Sequence, residues 1–273
     1  MEVKKVWTVC FSATGTTERA VTTIAEELAK TLGVPLQQIP FTRPAERERD
    51  HHFCAADLVV VGSPTYAGKL PNKILPDFQT KLQGNGALAV PVVMCGNRSY
   101  DNSLAELCAV LEANGFHTVA AGAFVGQHAF TDELAYGRPG WSDQFEMKNF
   151  AKRVCDKVKY LPGIPAPVQV TGDAAAPYYV PKGTDGEPAK FLKAKPKTHL
   201  RKCNNCGACV RLCPMGAIDP ANVSNVPGTC IKCQRCVRKC TKGAKYFDDP
   251  AFLSHVAMLE QNFAEPKENE TFI

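Results

Sequence analysis

The stretch CNNCGACVRLCP, which runs from Cys203 to Pro214, decides the fold of the C-terminal part of this 273-residue chain. Its spacing is Cys-x2-Cys-x2-Cys-x3-Cys, and the same spacing returns from Cys230 to Cys240. Three thiolates at this spacing reach three corners of an iron-sulfur cube, while the turn holds the fourth cysteine away so that it ligates the cluster of the opposite repeat. The repeat therefore predicts two [4Fe-4S] clusters.

The predicted ligands fall into two sets of four. We expect one cluster to be held by Cys203, Cys206, Cys209 and Cys240, and the other by Cys230, Cys233, Cys236 and Cys213. Zinc sites use pairs of Cys-x2-Cys and do not need a run of three followed by x3-Cys, and disulfides are rare in a cytosolic chain. Gly216 and Gly243, which follow each fourth cysteine, leave room for amide donors to approach sulfur.

This segment resembles the bacterial two-cluster ferredoxins, whose α+β fold we expect for residues 196–249. Thr241 stands where the second repeat of that family usually has proline, so a looser turn is expected there. The segment is also basic where those ferredoxins are acidic. From Lys190 to Lys245 there are 13 Lys and Arg against one acid, Asp219.

The first 160 residues have a different pattern, in which short apolar runs alternate with amphipathic stretches of helical period. This is typical of a parallel sheet with helices on both faces. Five strands are predicted, the fourth starting after Pro91 because a central strand cannot spare an amide donor. The predicted strands are Val3–Cys10, Leu36–Pro40, Leu58–Gly62, Val92–Cys95 and Phe116–Val125.

Ligands of such a sheet bind beyond the carboxyl ends of its strands, which directs attention to three loops. The first contains Ser12, Thr14, Gly15, Thr16 and Thr17. Its hydroxyl groups, a glycine that permits close approach and the amides of the following helix can hold a phosphate dianion. Without the lysine of a triphosphate-binding loop, a monophosphate is favoured. The alternative is that Thr14 or Thr17 only caps the helix.

The other two loops each place a tyrosine at the edge of the sheet. The candidate binding residues are Pro64, Thr65, Tyr66, Ala67 and Gly68 in one loop, and Gly96, Asn97, Arg98 and Tyr100 in the other. Two tyrosines there can sandwich a flat ring. Lys69 and Arg98 could stabilise a reduced anionic ring, or both could be solvated side chains. His128 could shuttle a proton, although a loop histidine without a role is the commoner case.

With these three loops, residues 1–160 resemble the flavodoxins. Ser12, Thr14, Gly15 and Thr17 match the family pattern [Ser/Thr]-x-Thr-Gly-x-Thr, and Tyr66 and Tyr100 stand where flavodoxins place their two flavin-flanking aromatics. The resemblance implies a doubly wound sheet of strand order 2-1-3-4-5. It also implies bound FMN, with the phosphate in the first loop and the isoalloxazine between Tyr66 and Tyr100.

Four segments are expected along the chain. A flavodoxin-like domain (1–160) is followed by a Pro/Gly-rich connector (161–195), which is either semi-rigid or wrapped over the first domain. The ferredoxin-like domain (196–249) precedes a C-terminal helix and tail (250–273), with Asp249 as N-cap, Pro250 at the first helical position and a solvated tail from Pro266.

Composition narrows the functional classes. With 45% hydrophobic and 22% charged residues the chain is neither disordered nor fibrous, and it has no apolar run long enough for a membrane span. Residues Met1 to Lys5 lead directly into a strand and do not resemble a signal peptide, so we expect a cytoplasmic protein. Nucleic-acid binding by the basic segment is the less favoured alternative, and redox protein partners are expected; the oligomeric state is not indicated.

The whole chain resembles the flavodoxin-ferredoxin fusion proteins of anaerobic microbes. The resemblance implies an electron-transfer protein that passes electrons between two [4Fe-4S] clusters and FMN and links a low-potential donor to a partner redox enzyme. The alternative is an FMN-dependent reductase of a small quinone, nitro or haem-like acceptor. A module that binds an acidic partner without redox turnover is a third possibility, but it leaves the first domain unexplained.

Overall fold

The computed structural model describes residues 2–273 and contains eleven β-strands and seven α-helices. The strands are β1 (Lys5–Cys10), β2 (Leu36–Pro40), β3 (His51–His52), β4 (Asp57–Pro64), β5 (Leu82–Gln83), β6 (Leu88–Cys95), β7 (His117–Thr118), β8 (Ala121–Val125), β9 (Lys197–Thr198), β10 (Lys245–Tyr246) and β11 (Glu270–Phe272). The helices are α1 (Thr16–Leu32), α2 (Leu75–Lys81), α3 (Ser103–Ala113), α4 (Trp141–Lys159), α5 (Ala208–Leu212), α6 (Arg235–Arg238) and α7 (Pro250–Asn262). None of these helices is long and apolar enough to cross a membrane.

The main sheet has the spatial order β11-β8-β6-β4-β1-β2, with β7 paired beside β6. Strands β2, β1, β4, β6 and β8 are parallel and correspond to the five predicted strands, so their order is 2-1-3-4-5 when only these are numbered. Helices α1 and α4 pack on one face, and α2 and α3 on the other. Every residue of β6 is buried. The first part of the chain therefore has a flavodoxin-like doubly wound α/β fold.

The prediction that a strand starts only after Pro91 is wrong, because Pro91 lies within β6, opposite Val61 of β4. The amide of Val119 donates a hydrogen bond to the carbonyl of Ala89, so the backbone polar groups of Ala89 point toward β7 and β8. Pro91 is two residues further on, so its backbone groups point to the same side. On that side the neighbouring strand is interrupted between Thr118 and Ala121. Pro91 lies at this gap, so its missing amide hydrogen removes little of the hydrogen bonding between the strands.

The prediction of a solvated C-terminal tail is also wrong. Residues Glu270–Phe272 form β11, which pairs antiparallel with β8 and covers the edge of the sheet. The side chain of Asn269 accepts a hydrogen bond from the amide of Val125 (2.9 Å), and the side-chain amide of Asn97 donates to the carbonyls of Phe263 (2.7 Å) and Glu265 (3.0 Å). The last residues therefore complete the first domain.

The two cysteine repeats have the same backbone. Positive φ angles occur at Asn205 (54°), Gly207 (69°) and Gly216 (57°), and again 27 residues later. The second set is Lys232 (55°), Gln234 (60°) and Gly243 (55°). Each repeat then forms one short helix, α5 or α6, and the segment is closed by the β9–β10 pair. The backbone is therefore duplicated together with the cysteine spacing.

The connector wraps over the first domain, which is one of the two alternatives the sequence left open. The amide of Val168 donates to the carbonyl of Thr118 (3.1 Å), and the amide of Tyr179 donates to that of Ala67 (2.8 Å). Helix α7 is capped as predicted, with the Asp249 carboxylate accepting from the amide of Phe252 (2.9 Å).

Candidate functional site

A cavity of about 970 Å³ lies at the carboxyl ends of the parallel strands. Its walls come from the three predicted loops, the loop after β8, the connector, the second cysteine repeat and α7. Ten of the predicted binding residues line it, namely Thr14, Thr16, Thr17, Pro64, Thr65, Tyr66, Ala67, Gly68, Gly96 and Arg98. The other four predicted residues belong to the same loops but are not part of the cavity wall, namely Ser12, Gly15, Asn97 and Tyr100.

The first loop presents unpaired amides. Gly15 has φ 104° and serves as the N-cap of α1, so the loop turns sharply where a side chain would be strained. Ser12 is buried, and its hydroxyl accepts a hydrogen bond from the amide of Glu18 (3.1 Å). Within residues 2–273, no hydrogen bond uses the amides of Ala13, Thr14 or Gly15. The donor set is that of an anion cradle, and no threonine side chain caps α1.

The second loop ends in a tight turn at Tyr66–Lys69. Tyr66 and Lys69 pair through two backbone hydrogen bonds, and both central residues have positive φ, 49° at Ala67 and 79° at Gly68. This is a type I′ turn. The carbonyl of Gly68 accepts from the amide of Asn102 (2.8 Å), and that of Ala67 is held by Tyr179. Neighbouring segments therefore fix the loop on both sides.

Lys69 does not line the cavity, which contradicts the suggestion that it faces a bound ring. Its ammonium group lies 3.0 Å from a carboxylate oxygen of Glu106 and donates to the carbonyls of Ala174 and Ala176, both at 2.8 Å. The other carboxylate oxygen of Glu106 accepts from the amide of Leu70 (2.8 Å). Lys69 is thus neutralised by a buried partner and ties the connector to the second loop.

The predicted binding residues of the third loop do not all face the cavity. Arg98 lines the cavity, forms an ion pair with Asp101, and lies 4.1 Å from the ring centroid of Tyr179. Asn97 is buried and binds the C-terminal segment. Tyr100 packs against the core, and its hydroxyl donates to Glu270 (2.7 Å). The expectation that Tyr100 covers the ring is therefore not supported by its position.

Tyr178 and Tyr179 of the connector line the cavity instead. The hydroxyl of Tyr178 donates to the carbonyl of Leu70 (2.8 Å), and the guanidinium of Arg98 stacks over the ring of Tyr179 in a cation–π contact. Tyr178, Tyr179 and Val180 make this part of the connector more apolar than a free linker requires. The sequence could not show which loop the two rings would reach, because the contacts join residues far apart in the chain.

His128 is in the cavity wall, packed tightly against the third loop. A Cβ added to Gly96 would lie 2.3 Å from the His128 ring, so only glycine fits there. Burial, with a smaller effect of the nearby His255, Arg238 and Arg98, lowers the pKa of His128 to about 4. Its Nδ1 accepts a hydrogen bond from the amide of Phe130 (3.1 Å). The ring is therefore neutral at physiological pH.

The eight repeated cysteines differ in their distance from the surface. Cys206 is exposed, whereas Cys230 and Cys233 lie against the cavity. Burial raises the pKa of the Cys233 thiol to about 12. Burial, and the negative charge that Cys233 and Cys230 carry as thiolates, raise the pKa of Tyr66, which lines the same cavity as these two cysteines. Within residues 2–273 no three His, Cys, Asp or Glu side chains are grouped as ligands of a single metal ion.

The fourth cysteine of each repeat receives a backbone amide, as the glycines after it led us to expect. The amide of Ala217 donates to Sγ of Cys213 (3.3 Å), and the amide of Ala244 donates to Sγ of Cys240 (3.2 Å). Gly216 and Gly243 stand immediately before these two alanines. Their φ angles of 57° and 55° turn the backbone so that the alanine amides point at the sulfur atoms. Such hydrogen bonds stabilise a thiolate and tune the potential of a cluster bound to it.

Several cationic side chains of the basic segment donate hydrogen bonds to the first domain. Arg238 donates to the carbonyls of His128 (3.2 Å), Ala129 (3.1 Å) and Thr131 (2.8 Å), and Arg235 to those of the first loop. From the other side, Arg47 donates to the carbonyl of Pro214 (2.8 Å). The cysteine repeats are therefore held against the first domain by the guanidinium groups of the buried Arg47 and of the partly buried Arg235 and Arg238.

Comparison with known proteins found one matching family model and several similar solved structures. Residues 202–245 match the family model of the 4Fe-4S dicluster domain. No curated protein matches the chain. Among solved structures, the chain is similar to a flavodoxin from the domain Archaea (17% identity, TM-score 0.38) over 57% of this chain and 99% of that one. It is also similar to the flavodoxin of Streptococcus pneumoniae TIGR4 (20% identity, TM-score 0.39) over 56% and 99%.

A third similar structure is the rubredoxin oxygen:oxidoreductase of Desulfovibrio gigas, at 16% identity and a TM-score of 0.40, over 58% of this chain and 37% of that one. Similarities at this level carry no information on ligand or activity. The fold of the first part rests on its own strand order, and that of the second on the family match. The chain thus joins a flavodoxin-like α/β fold to a 4Fe-4S dicluster domain, which confirms the fusion predicted from the sequence.

Proposed function

We propose that this chain is an electron-transfer protein in which two [4Fe-4S] clusters and one FMN exchange electrons within the polypeptide. One observation carries the proposal. Cys230 and Cys233 of the second repeat line the same cavity as Thr14, Tyr66 and Gly96 of the three sheet loops. A cluster held by Cys230 and Cys233 and a flavin held by the three loops would border the same cavity. Electron transfer between them would therefore need no encounter between molecules.

The eight cysteines are proposed as the cluster ligands in the two sets given by the sequence. Support comes from the duplicated backbone, with positive φ angles at matching positions, and from the amide donated to Cys213 and to Cys240. Each amide favours the thiolate form that an iron-sulfur cluster requires.

FMN is proposed for the cavity because the donors present fit its parts. The unpaired amides at residues 13–15 and the hydroxyl groups of the first loop suit a phosphate monoester. Tyr66, Tyr179 and Gly96 offer flat and narrow surfaces suited to a ring. When bound, FMN supplies chemistry in one- and two-electron steps. Arg98, held by its ion pair with Asp101, would place guanidinium donors beside the ring, and neutral His128 would exclude water from it.

The exposure of the cysteines suggests the order of the electron path. The first repeat carries the exposed Cys206 and is surrounded by exposed cations, among them Arg201, Lys202, Arg211 and Lys242. An acidic redox partner would therefore dock at this outer cluster. Electrons would pass to the inner cluster beside Cys233 and then to FMN, or in the opposite direction. Lys232, Arg235 and Arg238 do not belong to this docking surface, because their side chains donate hydrogen bonds to backbone carbonyls of the same chain.

Anaerobic purification with an optical spectrum and counts of iron, sulfide and FMN tests the proposal. We expect about eight irons and about one FMN per chain. The matched variants Cys206→Ser and Cys233→Ser separate the two clusters. The first should impair reduction by an external protein, and the second should leave that reduction intact but cut off FMN. Zinc in place of iron, or a chain without flavin, would contradict the proposal.

An FMN-dependent reductase of a small acceptor is the second candidate, favoured by the shape of the site. A carrier that only presents a flavin edge would have a flat surface, whereas here the loops open into a cavity that Phe130, Phe191 and Leu259 also line. Turnover of quinone and nitroaromatic acceptors by the cluster-loaded protein distinguishes the two functions. Saturable kinetics that change in Phe191→Ala would favour the reductase, and a rate linear in acceptor concentration would favour the carrier.

A further inference from the structure

Arg235 connects the second cysteine repeat to the first loop of the sheet. It is the first residue of α6 and immediately precedes Cys236. Its Nη1 donates hydrogen bonds to the carbonyl oxygens of Ser12 (2.8 Å) and Ala13 (2.7 Å). Its Nε is buried and has no partner within residues 2–273. The guanidinium group therefore lies directly behind the loop for which we propose phosphate binding.

This contact determines where two amides of the loop point. In a trans peptide the C=O and the N–H point in opposite directions, and both peptides concerned are trans. The carbonyls of Ser12 and Ala13 face Arg235, so the amides of Ala13 and Thr14 face away from it. Both amides are unpaired, and both residues line the cavity. Arg235 thus holds two free donors in the direction of the cavity.

We propose that Arg235 is a positioning residue for the phosphate group of FMN. It orients the amides of Ala13 and Thr14 and places a positive charge behind the loop. The inference rests on the proposed function, since it concerns the same bound FMN. It adds that the iron-sulfur segment contributes to flavin affinity, so that loss of this segment's docking weakens FMN binding and bound FMN strengthens the docking.

The first cysteine repeat shows that a cluster does not need this arginine. Arg235 is the second residue after Cys233, and the second residue after Cys206 is Ala208. Both residues begin the short helix of their repeat. Arg235→Ala therefore gives the second repeat the residue that the first already has, and the cluster should be retained. The arginine is explained by what it contacts in the other domain.

The test compares the binding of FMN with that of riboflavin, which has the same ring but no phosphate. Cluster-loaded, flavin-free protein is titrated anaerobically with each ligand, and binding is followed by quenching of flavin fluorescence. In Arg235→Ala we expect affinity for FMN to fall by about 10- to 100-fold, the effect of losing charge-assisted hydrogen bonds, and affinity for riboflavin to be unchanged. Arg235→Lys, which retains the charge, should recover part of the loss.

Arg211→Ala is the matched control, because Arg211 carries the same charge but donates only to the carbonyl of Cys206 (3.0 Å) in its own repeat. It should bind both flavins as the wild type does. Unchanged FMN affinity in Arg235→Ala, or equal losses for FMN and riboflavin, would overturn the inference. If iron counts show that Arg235→Ala loses a cluster, Arg235→Lys decides by the same FMN-to-riboflavin ratio. A wild-type protein that binds neither flavin would instead refute the proposed function.

Discussion

The ion pair between Lys69 and Glu106 provides a quantitative test of the site. Both residues are 7% exposed, and the ammonium and carboxylate groups lie 3.0 Å apart. Lys69→Met leaves the Glu106 carboxylate buried and without its cation, although the amide of Leu70 still donates to it. Removing one partner of a buried pair costs about 3–5 kcal/mol, and this pair is too buried for solvent screening to reduce the cost much.

A double-mutant cycle isolates the interaction. Glu106→Gln keeps an oxygen acceptor for the Leu70 amide, and the combined variant Lys69→Met/Glu106→Gln contains no unpaired charge. The two single losses should therefore exceed the double loss by about 0.5–3 kcal/mol. Urea unfolding of the first domain, followed by far-UV circular dichroism with the slopes compared, gives the free energies. Lys81→Met is the control, since its pair with Asp50 (2.9 Å) is exposed and should contribute less than about 1 kcal/mol.

The same double variant distinguishes the two roles considered for Lys69. Its net charge equals that of the wild type, and neither residue lines the cavity, so the FMN potential should be unchanged. A clear fall in that potential would mean that the ammonium group acts on the ring. A loss below about 1 kcal/mol in Lys69→Met, or strict additivity in the cycle, would refute the buried pair itself.

Three further predictions follow from other contacts. Tyr179→Ala should weaken FMN binding and the quenching of its fluorescence, whereas Tyr100→Ala, which also removes a ring, should leave both unchanged because Tyr100 does not line the cavity. The reverse result in a fluorescence titration would restore the sequence-based assignment. Asn97→Leu leaves two carbonyls without donors at a cost of about 1–3 kcal/mol each, and hydrogen exchange in β11 should accelerate; unchanged exchange would contradict the anchoring role. Burial alone would raise the pKa of Asp143, but hydrogen bonds from Arg138, Asn269 and Gly140 lower it. The ionised carboxylate therefore stabilises the fold above about pH 4, and this contribution is lost as the pH falls through the lowered pKa. Asp143→Asn should flatten that acid limb in unfolding curves, and an unchanged limb would count against it.

Local patterns were the part of the structure that the sequence predicted well. The cysteine spacing, the glycines after Cys213 and Cys240, and the cap of α7 at Asp249 each concern a few adjacent residues, so the backbone geometry follows from residue type. The alternation of strands and helices by itself predicted a parallel sheet covered on both faces. The strand order 2-1-3-4-5 was implied by the resemblance to the flavodoxins, and the order of β2, β1, β4, β6 and β8 agrees with it.

Long-range contacts were not predictable in the same way. Lys69 and Tyr100 stand at the positions that a ring-binding site suggests, but their partners are Glu106 and Glu270, and nothing local announces those contacts. The short strand β11 has no alternating pattern and exists only because the edge of β8 is available to it. The role of Arg235 required knowing that its repeat lies against the first loop.

Direct exchange between the inner cluster and the flavin is the central claim, and rapid mixing tests it. The fully loaded protein is mixed anaerobically with less than one equivalent of a one-electron reductant, and the cluster and flavin absorption bands are followed separately. We expect electrons to redistribute between cluster and FMN with a first-order rate constant that does not change over a tenfold range of protein concentration. A rate proportional to protein concentration, or clusters that stay reduced for minutes beside oxidised FMN, would contradict the account.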